Sequence, residues 1–172
     1  MDEDGNEVAQ GEVGEIAIES DFVMKGYWKR PEATNEAIKN NYFYTGDAGY
    51  FDEDGFLFIH DRVKDMIVSG GENIYPAEVE NAIFGHPKVA DVAVIGVPSE
   101  KWGEEVKALI VPKEGENPSE EEIIAWTKER IAGYKCPKSV EQIEVMPRNP
   151  SGKILRKDLR EPFWEGVERR VG

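Results

Sequence analysis

The sequence predicts an α+β fold in two parts: a small antiparallel β lobe, then a lobe of helices packed on a mainly antiparallel sheet. Three observations carry this. Apolar arms, Gly49-Tyr50-Phe51 and Phe56-Leu57-Phe58-Ile59, flank Asp52-Glu53-Asp54-Gly55, which is the pattern of a β-hairpin. Beyond Pro76, stretches with helical spacing alternate with apolar runs, as when helices lie on a sheet. Between the two, Asp61, Arg62, Lys64 and Asp65 crowd a joint that leads through Met66-Ile67-Val68 to Gly70-Gly71. Charge and glycine alone fit either a linker or a hinge.

Taken in order, residues 1–12 are acidic and glycine-rich and read as a turn-like entry. Gly14-Glu15-Ile16-Ala17-Ile18-Glu19 alternates apolar and polar side chains, the period of a half-buried strand. Residues 32–38 make a short helix with Pro31 at its first position. The hairpin follows, but about sixty residues supply few core positions, so this lobe reads as a piece of a larger sheet or barrel.

Past the joint, residues 66–68 are a short strand and 69–73 a tight turn. Residues 76–83 form a helix that starts on Pro76 and places Val79, Ala82 and Ile83 on one face. Residues 89–97 and 106–111 are apolar strands joined by a short loop, hence an antiparallel pair. Ser119 answered by Glu122 is a capping box, and the helix it opens is expected to run through Ile131 and stop at Gly133. Residues 139–145 read as a third strand, 147–153 as a flexible loop, and the segment from Leu155 as a helix broken at Pro162.

Composition narrows the function. The 172 residues hold 21 Lys plus Arg against 35 Asp plus Glu, a net charge of −14. So acidic a surface repels a phosphate backbone and argues against nucleic acid, although a single nucleotide can still bind through local donors. Cys136 is the only cysteine, which precludes an intrachain disulfide and fits a reducing compartment. His60 and His86, with no cysteine pair, make a zinc site improbable. No run approaches a membrane span and the acidic start is unlike a signal peptide. The default expectation is a soluble cytoplasmic protein.

Several short patterns could carry chemistry, each with a plainer reading beside it. Asp47, just past the glycine of Tyr44-Thr45-Gly46-Asp47, could accept both hydroxyls of a ribose diol or simply close a turn. Arg62 could donate to the same diol or to a phosphate, or pair with a neighbouring aspartate. Gly70-Gly71 lets backbone approach a ligand closely, or is an ordinary hairpin tip. Trp102 could stack on a base or lid the core. Lys153, closing Pro150-Ser151-Gly152-Lys153, could reach a phosphate and a carboxylate oxygen together; as a four-residue pattern it is weak. Cys136 has no histidine nearby to make it a nucleophile.

In this order the blocks resemble one family, the AMP-forming acyl-CoA synthetases of the adenylate-forming superfamily, which also holds adenylation domains and luciferases. The matching residues are Tyr44-Thr45-Gly46-Asp47, then Asp61 onward through Gly-Gly-Glu-Asn-Ile-Tyr-Pro-Ala-Glu-Val-Glu to Glu80. Residues 94–103 and 134–138 continue the match, and Asn149-Pro150-Ser151-Gly152-Lys153-Ile154-Leu155-Arg156 closes it. The resemblance covers nearly the whole chain.

It implies an ATP-dependent carboxylic acid–CoA ligase, with a fatty acid as the expected substrate. An acyl-AMP forms first and the acyl group then passes to the thiol of CoA. On this model Asp47 and Arg62 bind the nucleotide ribose, Lys64 is the hinge, and Lys153 is the adenylation lysine. Gly70 and Gly71 line the pantetheine tunnel, while Trp102, Tyr134 and Lys135 lie near the CoA nucleotide. Cys136 stands where a basic residue would help bind the CoA phosphates. Residues 1–62 become the tail of a large lobe and 63–172 a mobile C-terminal domain. Two half-reactions need different groups at one carbonyl, and a lobe turning about Lys64 can present each in turn.

The phosphate-binding loop, the acyl pocket and most Mg2+ ligation belong to a part of such enzymes that these residues do not include. The chain alone is therefore expected not to make acyl-CoA, and its orphaned edge strands are expected to favour self-association. Three alternatives stand beside this reading: part of an amino-acid adenylation domain, part of a luciferase-like enzyme, or a non-catalytic interaction module that keeps the fold.

Overall fold

The computed structural model describes residues 1, 2 and 4–167. The chain divides into two units, Met1–Lys64 and the residues from Asp65 onward.

The first unit is a four-stranded antiparallel sheet built around one long strand. Its elements are β1 (Gly14–Ile18), α1 (Pro31–Ala37), β2 (Ile38–Lys39), β3 (Tyr42–Phe51) and β4 (Leu57–Arg62). Strand β3 pairs with β1, β2 and β4. The Asp-Gly hairpin forms as its sequence suggests: Asp52 Oδ1 accepts from the amides of Asp54 and Phe56 at 3.1 and 2.8 Å, and Gly55 takes φ +83°. A second hairpin was not read from the sequence. Asn40 and Asn41 take φ +51° and +69° between β2 and β3, the left-handed pair that a two-residue loop demands and asparagine tolerates.

Among the described residues of this unit, Ala48 is the one fully buried apolar side chain. Phe22, Trp28, Phe56 and Ile59 stand in solvent. Helix α1 buries none of its side chains, so it does not add a second layer to this sheet.

The second unit has its own core. It comprises β5 (Ile67–Ser69), β6 (Glu72–Ile74), α2 (Pro76–Phe84), β7 (Val89–Ser99), β8 (Gly103–Pro112), α3 (Glu120–Lys128), β9 (Ser139–Gln142) and α4 (Arg156–Arg160). Strand β8 pairs antiparallel with β7 along most of its length. It also meets β5 at Ser69–Gly103 and pairs parallel with β9 from Lys107–Ser139 to Ile110–Gln142. The parallel pairing follows from the α3 crossover between the two strands.

Alternation along β7 and β8 sends Val92, Val94, Val106, Ala108 and Ile110 to one face, where they meet Val79 and Ile83 of α2 and Ile123 of α3. Ile95, Val97 and Leu109 go to the other, against Ile143, Leu159 and Phe163. Both faces of β7 are therefore covered, which is why its sequence is a continuous apolar run. Each such side chain contributes about 1.5–3 kcal/mol on burial.

Strands β7 and β8 extend past the expected 97 and 106, to Ser99 and Gly103, and Ile38 belongs to β2 instead of the first helix; three further boundaries differ for physical reasons. The turn expected over 69–73 is only Gly70-Gly71, and Glu72–Ile74 form a strand returning along β5. Helix α3, capped as expected by Ser119 Oγ accepting from Glu122 N at 3.2 Å, ends at Lys128 instead of running to Ile131. The amides of Arg130 and Ile131 both turn onto Thr127 O, at 3.0 and 3.1 Å, yet Ile131 still packs on the core. Its apolar spacing thus outlasts the helix. Strand β9 stops at Gln142, short of 145. Ile143 retains one bond to Ile110 O at 2.9 Å, whereas Val145 is exposed.

Candidate functional site

In the first unit, the sequence Thr45-Gly46-Asp47 is a bulge in β3. Opposite β1 the register slips between Glu15–Ala48 and Ala17–Tyr44. Gly46 at φ +73° makes the kink, and the loop is pinned by Thr45 Oγ1 donating to Ile16 O at 2.9 Å and Gly46 N donating to Glu15 Oε1 at 2.9 Å. Bulges of this kind re-aim a side chain. Here the re-aimed side chain is Asp47, which faces its register partner Arg62 on β4, with Nη1 to Oδ1 at 2.9 Å. The guanidinium lies over Gly46, where an added Cβ would stand 3.2 Å from Nη2. Arg62 Nε is buried with no partner among the described residues. Lys64 lies in a 3-10 turn over Val63–Asp65 and is the last residue of this unit.

In the second unit, Gly70 and Gly71 form the tip of the β5–β6 hairpin with φ +62° and +89°. Gly70 N donates to Trp102 O at 2.9 Å, and a Cβ on Gly70 would come within 2.8 Å of Trp102 Cε3. These two residues therefore form one surface, with the half-exposed indole covered by Lys101 Nζ at 4.4 Å from the ring centre.

Tyr134 and Lys135 sit on the loop before β9. Lys135 Nζ is held by both oxygens of Glu78, at 2.8 and 2.6 Å, so α2 anchors the loop and neutralises its cation. Cys136 beside them is buried, with Sγ 3.6 Å from Ala132 O, and burial pushes its thiol up. Its side chain faces the interior and offers nothing to a phosphate.

Lys153 is carried on the expected loop, which a bridge and the Asn149 bonds draw into a tight hairpin. Arg148 bridges to Ile154, and Asn149 N bonds Lys153 O at 2.9 Å. Asn149 Oδ1 accepts from Ser151 N, Ser151 Oγ and Lys153 N within 3.0 Å. Arg148 braces the turn from outside, donating to Gly152 O at 2.6 Å and to Asp91 Oδ2 at 2.7 Å. Among the described residues the Lys153 ammonium has no partner, and the side chain is exposed.

One cluster was given no role at the level of sequence. Arg156 reaches across to Glu80 of α2, with Nε at 3.2 Å from Oε1 and Nη2 at 2.7 Å from Oε2. Asp65 lies 3.8 Å from both Arg156 and Arg160. Glu80 and Arg156 fall inside the recognised blocks, but the 76 residues between them hide the pairing.

Part of the second unit coincides with a known domain. Residues 78–153 match the model of the AMP-binding enzyme C-terminal domain, and 159 residues are 52% identical to the feruloyl-CoA synthase of an Amycolatopsis species, covering 92% of this chain and 32% of that protein. The chain carries an AMP-binding enzyme C-terminal domain. The long-chain-fatty-acid–CoA ligase FadD13 of Mycobacterium tuberculosis is 53% identical over 150 residues, 87% of this chain and 30% of FadD13. The ATP-bound MatB of Rhodopseudomonas palustris superposes with a TM-score of 0.88 at 36% identity, over 97% of this chain and 33% of that one. The chain thus spans about a third of the length of the adenylate-forming relatives it matches, and its α+β fold is theirs.

Among the described residues, no three His, Cys, Asp or Glu side chains cluster so as to hold a metal ion, and no magnesium ligand set is assigned to them. No described helix is long and apolar enough to cross a membrane.

Proposed function

We propose that this chain supplies the moving parts of an ATP-dependent carboxylic acid–CoA ligase: a ribose contact, a hinge, an adenylation lysine and a thiol-channel hairpin. The observation that carries the reading is Lys153, an ammonium with no partner among the described residues, presented at the end of a hairpin rigidified by Asn149 and Arg148. A cation fixed in this way suits charge that develops on a phosphate as a carboxylate attacks it.

In the first half-reaction the acid's carboxylate attacks the α-phosphorus of ATP and pyrophosphate leaves. Lys153 contacts the acid and the bridging phosphate, while Asp47 and Arg62 hold the ribose. In the second half-reaction the CoA thiol attacks the acyl carbonyl and AMP leaves. Rotation about Lys64 exchanges Lys153 for the Gly70-Gly71 tip, which lines the pantetheine path beside Trp102. Tyr134 lies near the CoA nucleotide, with Lys135, neutralised by Glu78, bracing that loop. Magnesium and most of the ATP contacts belong to a larger lobe.

The relatives differ in their acid, one feruloyl and one long-chain fatty, so acid choice resides outside these residues; a fatty acid and an aromatic acid are both admissible. The exposed apolar surface of the first unit supports two further readings: that this unit packs on a larger lobe, and that the isolated chain self-associates. A lone, buried cysteine is in keeping with a cytoplasmic enzyme.

The test is to place the chain in a chimera in place of the matching third of the Amycolatopsis feruloyl-CoA synthase and to assay ferulate, ATP and CoA. Thioester formation by the chimera, with no pyrophosphate exchange by the chain alone, supports the reading. A folded but inactive chimera, or robust exchange by the chain alone, overturns it.

A further inference from the structure

Four charged side chains in the second unit form a largely buried cluster. Glu80 and Arg156 are 14% and 16% exposed, Asp65 and Arg160 10% and 17%. Two guanidiniums face two carboxylates, so each of these four charges has an opposite charge beside it where water is scarce. Glu80 is itself oriented, because its Oε1 also accepts from Val94 N of β7 at 2.8 Å. Arg156 meets it with the planar fork that arginine alone supplies.

This cluster lies at the root of the Lys153 hairpin. Arg156 is three residues beyond Lys153 and opens α4, a five-residue helix whose N-cap Leu155 makes no side-chain bond. So short a helix cannot hold its own orientation. It is set by Leu159 in the core behind β7 and β8 and by Arg156 and Arg160, four apart on one face, reaching Asp65. The opposite strand of the hairpin is fixed by Arg148 on Asp91, and Leu155 N to Pro147 O at 2.9 Å closes the base. The hairpin therefore has two anchors, one on β7 and one on α2. Asp65, the residue covalently after Lys64, shares the second anchor.

We propose that Arg156, clasped by Glu80 and Asp65, is a positioning residue for Lys153 in the adenylation half-reaction. It fixes the hairpin's base and ties it to the first residue beyond the hinge, so that rotation at Lys64 delivers Lys153 as part of one rigid body. A lysine on a four-carbon stem needs this, since misplacing a reacting group by about 1 Å costs on the order of a hundredfold in rate. The proposal rests on the assignment of Lys153 to adenylation and adds a residue to it.

The test uses the chimera described above and separates the half-reactions: pyrophosphate exchange with ferulate, and thioester formation from synthetic feruloyl-AMP plus CoA. Arg156→Lys keeps the charge and loses the fork, and its adenylation rate is expected to fall roughly tenfold with the KM for ATP and ferulate unchanged. Thioester formation should stay at the parent rate. Equal loss in both half-reactions marks a merely structural role, and no loss in either removes the role altogether; each overturns the proposal.

The charge-balanced pair Glu80→Gln with Arg156→Gln guards against misfolding caused by one uncompensated charge, and should show the same selective loss. Lys153→Ala serves as the reference. If it leaves adenylation intact, the functional reading fails and this proposal falls with it; if it abolishes adenylation while Arg156→Lys does not slow it, only this proposal fails. Hydrogen exchange on the 172-residue chain gives a readout independent of turnover. In Arg156→Lys the amides of Gly152, Lys153 and Leu155 should exchange about tenfold faster while those of β7 and β8 do not change. Unchanged exchange at the hairpin overturns the clasp.

Discussion

Asp47 and Arg62 are register partners across β3 and β4, and the bulge at Gly46 turns the carboxylate onto the guanidinium at 2.9 Å. The two side chains are 31% and 37% exposed, so as an ion pair they contribute about 1 kcal/mol or less to stability. A pair worth so little to the fold and placed on a conformationally demanding bulge supports the ribose contact proposed for it. Asp47→Ala is expected to lower the unfolding free energy of the chain by no more than about 1 kcal/mol. In the chimera it should raise the KM for ATP about tenfold or more, the scale of lost charge-assisted hydrogen bonds. Urea titration and initial-rate kinetics on the same variant check the two halves.

Gly70 and Trp102 offer a separable test of the hairpin tip. Gly70→Ala adds left-handed strain of about 1–2 kcal/mol and a Cβ 2.8 Å from the indole. Gly71→Ala adds strain alone, because nothing stands within 4 Å of its Cβ. Combining each with Trp102→Ala should relieve part of the Gly70 penalty and none of the Gly71 penalty, measured as a coupling energy in a double-mutant cycle. Equal coupling at both glycines contradicts the packing described.

His86 predicts a pH response of the fold. It is buried beside Trp126, with ring centres 4.9 Å apart, and burial pushes its imidazole below 6.5, opposed by Glu122 and assisted by Lys88 and Arg130. The unfolded chain then binds a proton at a higher pH than the folded one. Stability is complete above 6.5 and is lost as pH falls through the lowered folded value. Glu122, lowered chiefly by its bond to Lys88, acts in the same direction but only below 4.5, the ordinary value for its carboxyl. Urea midpoints should therefore drop as pH falls below 6.5 in the parent, and His86→Gln should flatten that drop.

Much of the second unit is legible in its sequence because local signals agree with the tertiary structure there. The Ser119 cap, the Pro76 start and the apolar runs of β7 and β8 each mark an element that the core then uses. Boundaries fail where packing outlasts hydrogen bonding, as at Ile131, or where a turn is tighter than its glycines suggest, as at Gly70-Gly71. The β2–β3 hairpin was legible in Asn40-Asn41, two residues that tolerate positive φ, but it lacks the glycine that makes such a turn conspicuous.

For the site, Asp47, Arg62 and Lys153 come from motif order, and no local pattern distinguishes them from turn residues. The Asp65–Glu80–Arg156–Arg160 cluster was illegible for a physical reason. It is a set of pairings across long loops, and charged residues in sequence read as solvated until the fold brings their partners to them.

The central claim is that Lys153 acts in adenylation and withdraws before the thiol arrives. It is tested most directly by Lys153→Ala in the chimera, with the two half-reactions measured separately. The account predicts that pyrophosphate exchange falls at least about a hundredfold, the cost of removing one preorganised charge partner, while thioester formation from preformed feruloyl-AMP proceeds at the parent rate. Exchange at the parent rate, or loss of both half-reactions in parallel, contradicts it.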